Sequence, residues 1–249
     1  FLLTAGWWIV CTVPLLKTYT QRAYSEHTGN PLTASFRRLG KTFREARQQK
    51  HIFLYMVAFF FFIDGVYTII GMATTYGKSL GLDSTGLLLA LLVTQFVAFP
   101  CSIIFGRLSA KFDTGRLIKV CIVCYTCVTL FGMFLASLWQ FWTLAVLVGM
   151  FQGGIQALSR SYLGKIIPPE QSGEYYGLMD IFGKGADAMG PALIALTTRL
   201  MGEKTVTVFG AELQGQNIGV GGLVILFAIG FLLFVKADRL NKARKAEKV

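Results

Sequence analysis

Charge is scarce in this chain. Only 15% of its 249 residues are Asp, Glu, Lys or Arg, and acidic residues are the scarcer sign, 13 against 24 basic. A soluble domain carries about 25% charged residues, so the polar surface of an ordinary soluble enzyme cannot be built from this composition. Histidine is nearly absent: His27 and His51 are the only two, and neither has a Cys or Glu at ligand spacing. Cysteine is also sparse, with five residues, too few for a disulfide scaffold. Cys121, Cys124 and Cys127 recur every third residue, but they sit in an apolar run without the second ligand pair that zinc requires. They read as small packing residues, and no metal or cofactor is expected. No phosphate loop, nucleophile elbow or zinc-protease motif is present. Ser159-Arg160-Ser161 has no partnering His or Asp within its span, so no enzyme is expected. What is abundant is apolar: 54% of residues are hydrophobic and 21 are Phe, which excludes disorder.

Those apolar residues are grouped. A membrane helix needs roughly 20 of them to cross the hydrocarbon core. Stretches near 1–16, 52–76, 86–106, 117–136, 140–158, 175–198 and 217–235 meet or approach that length. The first is short, and we read it as a helix cut by the start of the sequence. A signal peptide fits poorly, because no basic region precedes it and Trp7-Trp8 lie within it. The fold class expected is an all-α membrane protein with seven transmembrane helices. Residues 17–51 form a long basic linker, broken at Gly29-Asn30-Pro31, in which 32–50 can form an amphipathic helix on the membrane surface.

Alternating helices place successive connectors on opposite sides. One side then holds 20 Lys/Arg, in 17–51, 107–119, 159–174 and the tail 236–249; the other holds Lys78, Arg199 and Lys204. This asymmetry is the positive-inside pattern. It places the linker and the C-terminus in the cytoplasm, and it assigns the net charge of +11 to orientation in a bilayer, with no nucleic acid as partner. The remaining cation, Lys184, falls inside a span.

Polar groups within spans are costly and usually face a bundle interior or a wet cavity. Asp64 lies at the midpoint of 52–76, with Tyr67, Thr68, Gly71, Thr74 and Thr75 on the same helical face. It reads as a substrate- or proton-binding carboxylate, or as a structural Asp bonded to a neighbouring helix. Asp180, Lys184 and Asp187 share a face at i, i+4 and i+7, so that Lys184 can pair with either carboxylate. This is a binding site or a self-neutralised ladder. Gly183, Gly185, Gly190 and Pro191 around it permit close packing or a local break, a device transporters use beside binding sites. Gly149 and Gly153 form a small-xxx-small contact. Gln152 and Gln156 can bond a substrate or another helix, and Gln95 is a weaker cavity candidate.

One helix, a long basic loop and six further helices resemble the second half of a major facilitator superfamily transporter. Gly106-Arg107-Leu108 through Lys111, then Asp113 and Gly115-Arg116, resemble the family's cytoplasmic gating loop; Ala110 stands where the motif has Asp, with an insertion around Asp113-Thr114. Gly190-Pro191 resembles a common Gly-Pro of the superfamily. Gln152-Gly153-Gly154-Ile155-Gln156-Ala157-Leu158-Ser159-Arg160-Ser161, with Ile167-Pro168, Glu174-Tyr175-Tyr176-Gly177 and Phe182-Gly183-Lys184, is similar to the vacuole-effluxer branch. The resemblance implies one six-helix bundle made of two inverted three-helix repeats. Residues 1–16 then belong to the last helix of an N-terminal bundle, 17–51 to the linker, 52–237 to the C-terminal bundle and 238–249 to a cytoplasmic tail. It also implies secondary active transport of a small solute, amino acids included, by alternating access, coupled to an ion or proton.

The expected partners are the lipid bilayer, an N-terminal six-helix bundle of the same transporter and the solute. The location implied is the bacterial inner membrane. The competing function is a membrane sensor or assembly protein that retains the fold without transporting.

Overall fold

In a computed structural model, residues 1–20, 31–202, 204–208 and 211–247 are described. Gly29 and Asn30 of the expected linker break, and His27, lie outside them. The chain forms two units, residues 1–38 and 39–249. The first contains α1 (Leu2–Thr18), apolar but only 17 residues long, and the start of α2 (Pro31–Gln48). The second contains the rest of α2 and seven more helices: α3 (Lys50–Ser79), α4 (Ser84–Lys111), α5 (Thr114–Met133), α6 (Leu138–Ile166), α7 (Ser172–Ala186), α8 (Met189–Met201) and α9 (Gly215–Ala246).

Among the described residues, five helices are long and apolar enough to cross a membrane: α3, α4, α5, α6 and α9. The span expected over 175–198 is not one helix. It breaks at Asp187-Ala188 into α7 and α8, each shorter than a bilayer crossing. Glycine is a poor helix former, and Pro191 lacks the N–H that would bond back into a preceding turn, so the sequence Gly183-Lys184-Gly185…Gly190-Pro191 yields there. After α8, residues Val206–Val208 and Ala211–Leu213 pair as a short antiparallel hairpin, a feature that the hydropathy pattern did not signal. Residues 238–246, expected as a tail, continue α9 as helix.

The helix ends carry local signals. Asp83 caps α4 by accepting from the Gly86 N–H at 2.7 Å. Ser137 and Gln140 form a reciprocal capping box at the start of α6. The turn from α3 into α4 requires Gly81 at φ 75°, a left-handed conformation that a β-carbon disfavours.

Helix pairing is reciprocal between two sets of three, α3, α4 and α5 against α6, the broken α7–α8 and α9. The first helix of each three-helix set packs on the last of the other, α3 on α9 and α6 on α5. The second helix of each packs on the first of the other, α4 on α6 and α7 on α3. Lipid tails are as apolar as leucine, so close backbone packing has to hold such helices together. Gly149 and Gly153 supply it between α6 and α4: a β-carbon added to either would stand 2.7 Å from Thr94 O or Ser102 Cβ. Gly153→Leu should therefore force the two helices apart at a cost of about 1–3 kcal/mol. Thermal unfolding of the detergent-purified protein measures it; an unchanged midpoint would contradict this contact.

The core between α3, α6 and α9 is aromatic. Tyr55, Tyr162 and Phe234 cluster with centroids 4.9–5.9 Å apart, and the Tyr55 hydroxyl donates to the Ser159 carbonyl at 2.7 Å. Cys121 is buried in the same core, Cys124 is half-buried and Cys127 is exposed. His51 is buried in the first turn of α3. The α2 helix docks by Thr42, whose hydroxyl bonds Glu174 of α7, by Glu45, which accepts from Gln171, and by Phe43, which stacks on Phe182. Its Lys41, Arg44 and Arg47 remain exposed, the amphipathic arrangement the sequence predicts.

Candidate functional site

Three helices build a polar cavity beside the break. α3 contributes Tyr67, α6 contributes Gln156 and Arg160, and α7 contributes Asp180 and Lys184; Phe59, Ile63 and Met179 form the apolar wall. The space is about 510 Å³ counting its open mouth. One helical turn separates Gln156 from Arg160 and Asp180 from Lys184, so α6 and α7 each present two polar groups to the same space. Arg160 Nη2 lies 2.8 Å from Asp180 Oδ1. This pair joins α6 to α7 at the cavity edge, where both side chains are about half exposed, so its strength is that of a surface pair. The Tyr176 hydroxyl donates to the Arg160 carbonyl and braces the same turn.

The ladder predicted on α7 is therefore rearranged. Asp180 turns to Arg160, and Asp187 stands in the break as the residue ending α7, exposed and off the cavity wall. Lys184 is exposed to the cavity and makes no ion pair among the described residues. Four of the eight candidates thus meet: Tyr67, Gln156, Asp180 and Lys184. Arg160, which the sequence reading placed among the orienting charges and in the segment resembling the vacuole-effluxer branch but not among the binding candidates, joins them. The available signal was its place one turn after Gln156.

The other four lie elsewhere. Asp64 is fully buried, behind the wall that its neighbours Ile63 and Tyr67 present to the cavity. Gln152 is half-buried on α6, and its Oε1 finds no hydrogen bond among the described residues. Gln95 borders a second cavity of about 750 Å³ with its mouth, lined mainly by aliphatic residues of α3, α4, α5, α6, α8 and α9. Tyr76 borders it too, donating to the Gly132 carbonyl and accepting from Asn217 Nδ2.

At the end of the bundle opposite Tyr76, the loop resembling the gating motif is only partly engaged. Gly106, Arg107, Lys111 and Arg116 are exposed. Asp113 leaves the first turn of α5 uncapped by its side chain and instead takes Lys242 at 2.7 Å. Gly115 allows α5 to approach α9: a β-carbon there would stand 2.7 Å from Asp238 Oδ1. Asp238, 1% exposed, is held by Lys119 at 2.6 Å, Lys242 at 3.1 Å and the Tyr162 hydroxyl at 3.2 Å. Sequence reading missed this centre because Asp238 stands alone among the basic residues of its segment. Burial opposes the charge of Asp113, but the hydrogen bond and charge of Lys242, the Gly115 N–H and Lys119 hold its carboxyl below the usual range. Its contribution to stability is present above about pH 4 and is lost on acidification through that lowered value.

Asp238→Ala should destabilise the bundle by about 2 kcal/mol, since it strands the Lys119 ammonium and the Tyr162 hydroxyl; Lys242 keeps Asp113 and Lys119 can regain water, which limits the loss. A chemical-denaturation midpoint that does not move would exclude this network as a staple.

The connectors 107–119, 159–174 and 236–246 meet at this end, as the alternation of basic segments requires: Lys119 and Lys242 on Asp238, and Lys165 on the Thr114 hydroxyl at 2.6 Å. A family model described as "Vacuole effluxer Atg22 like" matches residues 1–243. The uncharacterized MFS-type transporter YxiO of Bacillus subtilis (strain 168) is 44% identical over 233 residues, covering 94% of this chain and 52% of the relative. Autophagy-related protein 22-1 of Penicillium rubens is 29% identical over 224 residues, covering 79% of this chain and 38% of the relative. The namesake from Aspergillus niger is 26% identical over 223 residues, with 79% and 36% covered. The chain spans about half the length of the first of these relatives or less. Its apolar helices make it an integral, multi-pass membrane protein. With a matched region that runs through every helix of the bundle, the chain belongs to the Atg22-like vacuole effluxer family, in the major facilitator type of fold.

Proposed function

We propose that this chain supplies one bundle of a secondary active transporter that moves a small charged solute by alternating access. The observation that carries the proposal is Lys184, a cation without an ion pair among the described residues, in a polar cavity beside a broken helix. A discontinuous helix lets backbone and side chains approach a solute at membrane depth without exposing unsatisfied groups to lipid. Lys184 would hold an anionic group as a point charge. Asp180, shared with Arg160, would meet an ammonium group, and Tyr67 and Gln156 would fix orientation by hydrogen bonds. An amino acid, with a carboxylate and an ammonium on one carbon, fits that arrangement. The names of the relatives support transport as the activity.

In this reading the opposite wall of the pathway comes from a further six-helix bundle of the same transporter, joined through α1 and the basic linker. The end bearing Lys119, Lys165 and Lys242 faces the cytoplasm, in a bacterial inner membrane, by the positive-inside pattern. Asp64 couples transport to an ion or proton.

The test is a solute screen on the complete transporter reconstituted in vesicles, with the twenty amino acids and other small anions, zwitterions and cations as substrates. Saturable uptake or exchange of one class is expected. Absence of protein-dependent flux for every class, under either gradient direction, would overturn the transport reading.

A further inference from the structure

The face by which α2 could sink into a membrane is already occupied. From Leu39 onward the helix turns about 100° per residue, which sets Leu39, Thr42 and Ala46 on one side and Lys41, Arg44 and Arg47 on the other. Leu39 is half-buried, and Thr42 and Ala46 are fully buried. An amphipathic helix holds to a lipid surface by burying its apolar face there, but Leu39 and Ala46 pack into the bundle core instead. What α2 offers to its surroundings is charge. The Lys41 side chain is 75% exposed and stands 3.7 Å from Glu45. Arg44 and Arg47 are exposed and make no ion pair among the described residues. Lys50, exposed at the first position of α3, adds a fourth cation. Glu45 is the one acid in residues 39–50, and it also accepts from Gln171.

Position in the fold selects the anion. Gln49 alone separates α2 from α3, a helix long and apolar enough to cross a membrane. Phe43 packs edge-on against Phe53 in the first turn of α3, so the helix folds back on the bundle and does not project from it. The four cations therefore stand where α3 enters the bilayer. Phosphate headgroups are the anions concentrated at that level, and clusters of four or more Lys/Arg beside a span have the charge complementary to them.

α2 is also tied to α7 at three points. Thr42 bonds Glu174, and Glu45 accepts from Gln171 just ahead of α7. Phe43 stacks on Phe182 with ring centroids 6.5 Å apart. Phe182 lies between Asp180 and Lys184, the two groups that α7 gives to the polar cavity. We propose that Lys41, Arg44, Arg47 and Lys50 bind the headgroups of anionic phospholipids, and that the bound leaflet restrains α7 through α2. With the apolar face of α2 held in the bundle, the lipid contact is electrostatic and weakens as salt screens it. The lipid site is read without any solute; only its consequence for solute exchange rests on the transport reading.

The experiment uses the complete purified protein in a neutral detergent. Phosphatidylglycerol is titrated in, with phosphatidylcholine and inorganic phosphate as separate arms, and the melting midpoint is followed. Amide hydrogen exchange of residues 175–184 is measured in the same samples. Phosphatidylglycerol should raise the midpoint saturably and slow exchange in α7; phosphatidylcholine and inorganic phosphate should do neither. Each Lys or Arg near an anionic surface adds roughly fivefold to binding. The triple variant Lys41→Gln, Arg44→Gln, Arg47→Gln should therefore raise the half-saturating lipid concentration at least about tenfold and lose the slowing in α7. A matched triple variant at Arg107, Lys111 and Arg116, exposed at the same end, should keep both effects. Thr42→Ala with Phe43→Ala should keep lipid binding and lose the slowing.

A phosphatidylglycerol effect that survives the α2 triple variant, or that inorganic phosphate reproduces, overturns the lipid site. A lower midpoint of that variant before any lipid is added would show its cations held by another part of the protein, and overturns it too. Slowing of α7 that survives the loss of Thr42 and Phe43 overturns the coupling. Lipid binding with no solute flux would leave this site standing and remove the transport reading.

Discussion

Asp64→Asn in the complete transporter should abolish gradient-driven accumulation of solute, bringing it down to the level of protein-free vesicles. Asn matches Asp in size but cannot gain or lose a charge, so the step in which a cation neutralises the buried carboxylate disappears. Exchange of labelled for unlabelled solute at equal concentrations should continue, because Asp64 is not on the wall of the cavity formed by Tyr67, Gln156, Asp180 and Lys184. The separation of the two readouts is the informative part. Loss of both would mean that the variant no longer assembles the bundle, since Asp64 stands against the first turn of α8. Undiminished accumulation would remove Asp64 from coupling altogether.

Lys184→Ala should weaken solute binding at least tenfold. A hydrogen bond between charged groups contributes about 1.5–3 kcal/mol, which corresponds to roughly 10- to 150-fold in affinity. Lys184 is exposed to the cavity and has no ion pair among the described residues, so little stability is lost with it, and a surface substitution of this kind costs within about 0.5 kcal/mol. Lys184→Arg should restore part of the affinity, since charge is kept while the point ammonium becomes a planar fork. The measurement is the half-saturating concentration for exchange, with the melting midpoint as a folding control. An unaltered half-saturating concentration in Lys184→Ala would exclude Lys184 as the solute's anchor. Arg160 would then be the alternative cation, already engaged by Asp180.

Much of the bundle was legible in the chain. Runs of some twenty apolar residues, separated by basic connectors, identify α3, α4, α5, α6 and α9 because a bilayer demands both length and apolarity of each helix separately. Gly149 and Gly153 indicated a close helix contact for the same local reason, since small residues one turn apart make a groove; that α4 fills it is a finding of the structure. The helix around Lys184 was legible only in part. Its glycines and proline signalled a possible break, while the spacing of Asp180, Lys184 and Asp187 signalled one continuous polar face, and the two signals conflict. The structure resolves them at Asp187-Ala188. There the chain ends α7 so that Gly190 can press on Thr68, a contact set by α3.

The candidate site was only half legible, and charge pairing is the reason. Residue spacing within a helix says which groups share a face, but not which face of which other helix it meets. Asp180 pairs with Arg160 across 20 positions, and Asp238 with Lys119 across 119. Neither acid carries a mark of its partner in its own segment.

The sequence by itself determined that this is a multi-pass helical membrane protein with a basic side, because solvent acts on each helix independently and leaves its imprint in local composition. Only the tertiary structure decided that Arg160 belongs with Lys184, that Asp64 lies behind the cavity wall facing α8, and that Asp238 staples α9 to α5. Those outcomes depend on how helices far apart in the chain are brought side by side, and in a protein whose helices all face similar lipid that choice rests on close packing and on a few buried polar groups seeking one another.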